Sequence, residues 1–137
     1  MDKGEKIEMS EFLSKLSKAV DAFTDVLTEN IKPKKALELY KYEDFVKFFK
    51  ENRKENPRVE KSIISVTKVT EFDGIKYSEA KFLIRIVLLD KDNHPISING
   101  REDEILGRAV IANSIDIKMD EFMGKETEKI IVWKGEK

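Results

Sequence analysis

The hydrophobic pattern of this 137-residue chain changes character at Asn56-Pro57. Before that point apolar residues recur at three-and-four spacing. After it they gather into extended runs rich in Ile, Val, Thr and Phe, the residues that pack well on a pleated surface. A chain divided in this way is confined to helices followed by strands, an α+β plan. From Met9 the apolar positions are Phe12, Leu13, Leu16, Ala19, Val20, Phe23, Val26, Leu27 and Ile31, which mark one face of a helix predicted over 10–30. Ser10-Glu11 supplies its start, and Asn30 with Pro33 its end. Pro33 suits the first turn of a second helix, with Ala36, Leu37, Tyr40, Phe45, Val46, Phe48 and Phe49 apolar and Asn56-Pro57 as the stop. Lys41 to Glu43 is the place where that helix would break.

Beyond Pro57 the expectation is four antiparallel strands. Asp73-Gly74 separates Val59 to Phe72 from Ile75 to Leu89, and Asp-Gly supplies the positive backbone angles of a tight hairpin turn. Asp90 to Pro95 reads as a loop and Asn99-Gly100 as a second turn. Ile105 to Ile117 reads as a third long strand, with Ala109, Ile111, Ile115 and Ile117 on one face. A single helical turn follows at Asp120 to Gly124, and residues 129–134 form the last strand. The predicted architecture is therefore two N-terminal helices packed on a curved four-stranded antiparallel sheet. In layout alone it resembles cystatin-like and nuclear-transport-factor-like folds, with no residue motif marking either. Neither a repeat nor a Gly-, Ser- or Pro-rich linker interrupts the chain, so residues 1–137 are expected to form one domain. Within it, 1–8 would be a flexible N-terminus, 9–56 the helical part and 58–134 the sheet.

Composition narrows the chemistry. The chain has no cysteine and one histidine, His94, which removes disulfides, thiolate metal sites, thiol nucleophiles and multi-histidine metal centres. No metal and no cofactor is expected. Positive and negative residues, 26 against 27, are balanced on both sides of Pro57, unlike a domain that grips nucleic acid mainly through phosphates. The apolar run within 82–89 is broken by Arg85, far short of a membrane span of about 20 residues. Residues 1–6 lack the apolar core of a signal peptide, so a cytoplasmic location is expected. The absence of glutamine, beside 21 Lys and 15 Ile, fits a heat-adapted source and an A+T-rich genome equally.

Catalytic signatures are missing as well. Gly124-Lys125 has neither the upstream glycine nor the following Ser or Thr of a phosphate cradle, and Gly-x-Ser-x-Gly and His-Glu-x-x-His are absent. Asp90, Asp92 and Asn93 suggest a calcium loop, but Pro95 stands where that loop requires glycine and the closing glutamate is misplaced. Glu102-Asp103-Glu104, the densest acidic cluster, follows a turn and reads as a solvated loop, with an acidic contact for a basic partner as the alternative.

The arginines carry more information, because a chain with 21 Lys and five Arg places the planar guanidinium selectively. Arg85 interrupts a strand that is apolar on both faces, where an uncompensated charge costs several kcal/mol. If the strands bearing Arg85 and Arg108 pair, both side chains could receive an anionic small molecule, with Asn113 as an added polar contact. Lys47, Lys50 and Lys54 lie along one helix face and, together with Trp133, could serve a single-stranded nucleic acid. Leu13, Leu16, Val20, Phe23 and Leu27 could form the seam of a homodimer. The leading expectation is a non-catalytic binding domain acting through a protein partner, as a regulator, inhibitor or adaptor. A pocket for an anionic small molecule and a single-strand nucleic-acid accessory are the alternatives, nucleic acid being the less favoured partner.

Overall fold

The two long strands that flank Gly74 organise the structure. The computed structural model describes residues 6–7, 36–72, 74–98, 101–124 and 130–134. Strand β3 (Lys61–Phe72) and strand β4 (Ile75–Leu89) pair antiparallel from Lys61↔Leu89 to Phe72↔Ile75, with a bulge between Val69 and Glu71. Gly74 sits at φ +80°, the left-handed region where a side chain is strained.

Around this hairpin the chain lays β1 (Lys6–Ile7), β2 (Leu37–Tyr40), β7 (Gly107–Ile115) and β8 (Ile130–Trp133). The sheet order is β1-β8-β3-β4-β7-β2, with β1 contributing only two residues at one end. A separate two-stranded ribbon pairs β5 (Ser97–Ile98) with β6 (Arg101–Ile105). Among the described residues two helices accompany the strands, α1 (Tyr42–Glu55) and α2 (Ile117–Met123).

This differs from the sequence expectation in three ways, and the predicted layout of two N-terminal helices on four antiparallel strands does not hold. First, the sheet is mixed, because β2 runs parallel to β7 with Leu37↔Ala112 and Leu39↔Ser114 opposed. Second, residues 37–40, expected in the second helix, are that parallel strand, and the helix begins at Tyr42. The chain does break where Lys41 to Glu43 suggested it would. Third, the single helical turn expected at Asp120 to Gly124 is present but begins earlier, as α2 (Ile117–Met123), taking Ile117 out of the third strand, which ends at Ile115; with residues 37–40 a strand, the described helices are not gathered ahead of the sheet. The cystatin-like and nuclear-transport-factor-like analogies fall with the antiparallel plan. The helix predicted over 10–30 lies outside the described residues.

The physical reason is visible at β2. Leu-Glu-Leu-Tyr satisfies both a short helical spacing and a period of two, and four residues are too few for local propensity to decide. Pairing decides instead: Ser114 Oγ donates to Glu38 O at 2.9 Å, and Asp116 N donates to Tyr40 O at 3.2 Å. Both partners lie more than 70 residues away in the chain.

Helix α1 buries Tyr42, Phe45, Val46, Phe48 and Phe49 and exposes its lysines. Glu43 and Asp44 in its first turn and Arg53 and Lys54 in its last complement the helix dipole. Its apolar stripe meets Ile64, Val66, Ile84, Ile86, Val110 and Trp133 from one face of the sheet, together with Met119 and Phe122 of α2. Trp133 is the centre of this cluster, with its ring centroid 4.8 Å from those of both Phe45 and Phe49. Burial in β3 is continuous from Ser62 to Val66 rather than alternating, and β4 is the same from Ile86 to Leu89. Continuous burial of this kind means that both faces of the central strands are covered.

Candidate interaction surface

Register decides what the strand arginines can do. In the β4–β7 pair Arg85 opposes Ala109 and Ile86 opposes Arg108. Successive residues of a strand project to opposite faces, so Arg85 and Arg108 point to opposite sides of the sheet and do not converge on one anion. Arg108 stands on the helix side and is exposed, its guanidinium carbon 4.6 Å from the centre of the Phe48 ring in a cation–π contact. Arg85 is half-buried on the other face, and desolvation lowers its guanidinium pKa from the ordinary value. Asn113 shares that face but lies four residues farther along β7 than Ala109, about 13 Å away at strand rise. Its Oδ1 is buried and accepts no hydrogen bond from any described residue.

The residues considered for nucleic acid are also separated. Lys47, Lys50 and Lys54 are exposed along α1, and Lys47 Nζ lies 3.9 Å from Glu51 Oε1. Trp133 is fully buried between Phe45 and Phe49, so its ring is not presented to a base. His94 lies exposed in the loop after β4, 3.9 Å from Asp90 Oδ2, while Asp90 Oδ1 accepts the backbone N–H groups of Asp92 and His94 at 2.9 Å each. That carboxylate is engaged in shaping its own loop. Among the described residues no group of three or more His, Asp or Glu side chains is placed to hold a metal ion. Nor is any described helix long and apolar enough to cross a membrane. The five seam residues Leu13, Leu16, Val20, Phe23 and Leu27 lie outside the described residues.

The surface that sequence reasoning missed lies where β2, the end of β7 and α2 meet. Strand β2 is last in the sheet order, and no described strand lies beyond it. Leu37 is 45% exposed, Leu39 39% and Ile117 76%, an unusual concentration of large apolar side chains on one edge. An open recess of about 480 Å³ adjoins them, lined by Leu39, Lys41, Glu43, Ile115, Ile117 and Lys118. Its lining combines the apolar Leu39, Ile115 and Ile117 with charged side chains of both signs.

Asp116, which also lines the recess, fixes the local geometry. One of its carboxylate oxygens, Oδ1, accepts from Met119 N at 2.8 Å, capping α2, and from Tyr42 N at 3.1 Å, satisfying an N–H in the first turn of α1. Asp44 Oδ2 accepts from Lys41 N at 2.9 Å and completes the turn between β2 and α1. Tyr40, the last residue of β2, is buried, and its hydroxyl has no hydrogen-bond partner among the described residues. Desolvation pushes its pKa well above the ordinary tyrosine value, with Arg108 opposing the rise and Asp44 adding to it.

The alternation Leu37-Glu38-Leu39 just ahead of the break at Lys41 was the one local signal for an edge strand. The helical spacing of Ala36, Leu37 and Tyr40 competes with it. No protein-family model matches the chain, and no curated protein or solved structure shows significant similarity to it.

Proposed function

We propose that this protein is a non-catalytic binding domain whose β2 edge receives an extended segment of a protein partner. The observation that carries this reading is the conjunction of a terminal strand with exposed Leu37, Leu39 and Ile117. A strand at the end of a sheet offers backbone donors and acceptors that an added strand can pair with, and side chains beside it supply specificity. Natural edges are usually blunted by charge or proline, whereas this one carries leucines at alternate positions. The mixed charges of Lys41, Glu43 and Lys118 around the recess suit a peptide with an apolar centre and polar flanks.

The test is native mass spectrometry of the protein isolated from its own host, with and without the double substitution Leu37→Glu, Leu39→Lys. Both side chains are well exposed, so the change is expected to alter stability by no more than ~0.5 kcal/mol. A second polypeptide in simple stoichiometry with the native chain, and its loss from the variant, is the expected result. Retention of that polypeptide by a folded variant would place the interface elsewhere, and a solitary native chain would remove the reading.

A further inference from the structure

The sheet has a second buried face. Ile63, Leu83, Val87, Leu89, Ile111 and Val132 are withdrawn from solvent, yet none of them belongs to the cluster beneath α1 and α2. The β3–β4, β4–β7 and β3–β8 registers put these six side chains on one side, together with Arg85, and both described helices on the other. Apolar residues at this density on a sheet require a covering layer, since bare exposure would forfeit about 25 cal/mol for each Å² left in water.

Chain connectivity points to the layer. Lys6 and Ile7 pair with β8 at one end of the sheet, and Leu37 to Tyr40 pair with β7 at the other. Residues 8–35 therefore connect opposite edges across five strand spacings, about 24 Å. On the helix side the route is occupied by α1 and α2. A helix of the length read from the sequence over 10–30 would span about 31 Å, enough to make the crossing obliquely. Its pattern fits a layer with one dry side: Leu16, Val20, Phe23 and Leu27 fall together, and Asp21, Asp25 and Glu29 fall opposite.

We infer that the second face of the sheet is the docking surface for residues 9–31 of this same chain, engaged through Leu13, Leu16, Val20, Phe23 and Leu27. This assigns those side chains to the interior of one molecule rather than to a seam between two. It is independent of the β2 edge and stands or falls separately from the partner proposed there.

The chain has no cysteine, so single disulfides can be placed at will. Leu83→Cys, on the central strand, is combined in turn with Leu16→Cys, Val20→Cys and Phe23→Cys in the full chain. A disulfide needs Cα atoms within ~7 Å, so at least one pair is expected to close at about tenfold the yield of a control pairing Leu83→Cys with Lys47→Cys on the opposite side. The product should run as a cross-linked monomer. Methyl cross-peaks in the unsubstituted protein, between Leu16, Val20 or Leu27 and Leu83 or Val87, provide a reading that does not depend on the variants folding. Cross-linked monomer, or these cross-peaks within one molecule, supports the assignment. Cross-linked dimers, or cross-peaks appearing only between differently labelled copies, would give the face to a second copy and overturn it. Absence of both signals would overturn it as well.

Discussion

Asp116 joins the two described helices through one carboxylate oxygen, and its removal has a calculable consequence. In Asp116→Ala the N–H of Met119 loses its cap acceptor and the N–H of Tyr42 loses the oxygen 3.1 Å away. Loss of an N-cap costs about 1 kcal/mol, and a partly buried N–H deprived of a carboxylate partner costs about 1–2 kcal/mol more. The expected destabilisation is therefore about 2–3 kcal/mol. For a domain of this size that lowers Tm by roughly 6–10 °C. Asp116→Asn keeps an oxygen in the same place and is a good cap, so it should cost less than about 1 kcal/mol. Urea unfolding followed by circular dichroism measures both. The slope should be unchanged and the midpoint lowered, because the same surface is exposed on unfolding. An alanine variant within ~0.5 kcal/mol of the native chain would refute the shared-cap account, allowing for the spread of ordinary surface substitutions. An asparagine variant as unstable as the alanine one would show instead that charge, not hydrogen-bond geometry, is what matters.

Tyr40→Phe removes a buried hydroxyl that no described residue bonds, and is expected to be neutral or stabilising by up to ~1 kcal/mol at pH 7. The native protein keeps the Tyr40 proton more tightly than its unfolded chain does, so this contribution to stability is complete below the ordinary tyrosine pKa of about 10 and is lost as pH rises through the raised value. The phenylalanine variant should show a shallower fall in stability above about pH 10, and identical alkaline curves would contradict the burial argument. Trp133 is the only tryptophan, so emission reports on it alone; it should be blue-shifted and resistant to iodide until unfolding, and an exposed spectrum in the folded protein would disprove the core placement. Arg108→Gln should lose the cation–π contact with Phe48 at a cost of about 0.5–1 kcal/mol in thermal unfolding, whereas Arg108→Lys should retain part of it.

The features legible in the sequence were those set by local chemistry. Asp73-Gly74 demanded a tight turn, the long runs on either side supplied the β3–β4 hairpin, and Asn56-Pro57 stopped α1 where the structure stops it. The phenylalanines of α1 declared its buried stripe through their spacing. The near-continuous apolar run from Phe82 to Leu89, apolar on both faces apart from Arg85, also carried the signal that the sheet is covered on both sides.

What only the tertiary structure decided depends on groups distant in the chain. Residues 37–40 could satisfy a helix or a strand, and a parallel partner at 112–115 made them a strand, because backbone groups of a short segment go wherever their hydrogen bonds can be completed. Arg85 and Arg108 looked alike in sequence, but a register of one residue sent them to opposite faces and dissolved the clamp they might have formed. Trp133 looked available until two phenylalanines enclosed it. The sequence determined which segments could pair and bury; long-range register determined which side chains ended up together, since a period of two turns any shift of one residue into a change of face.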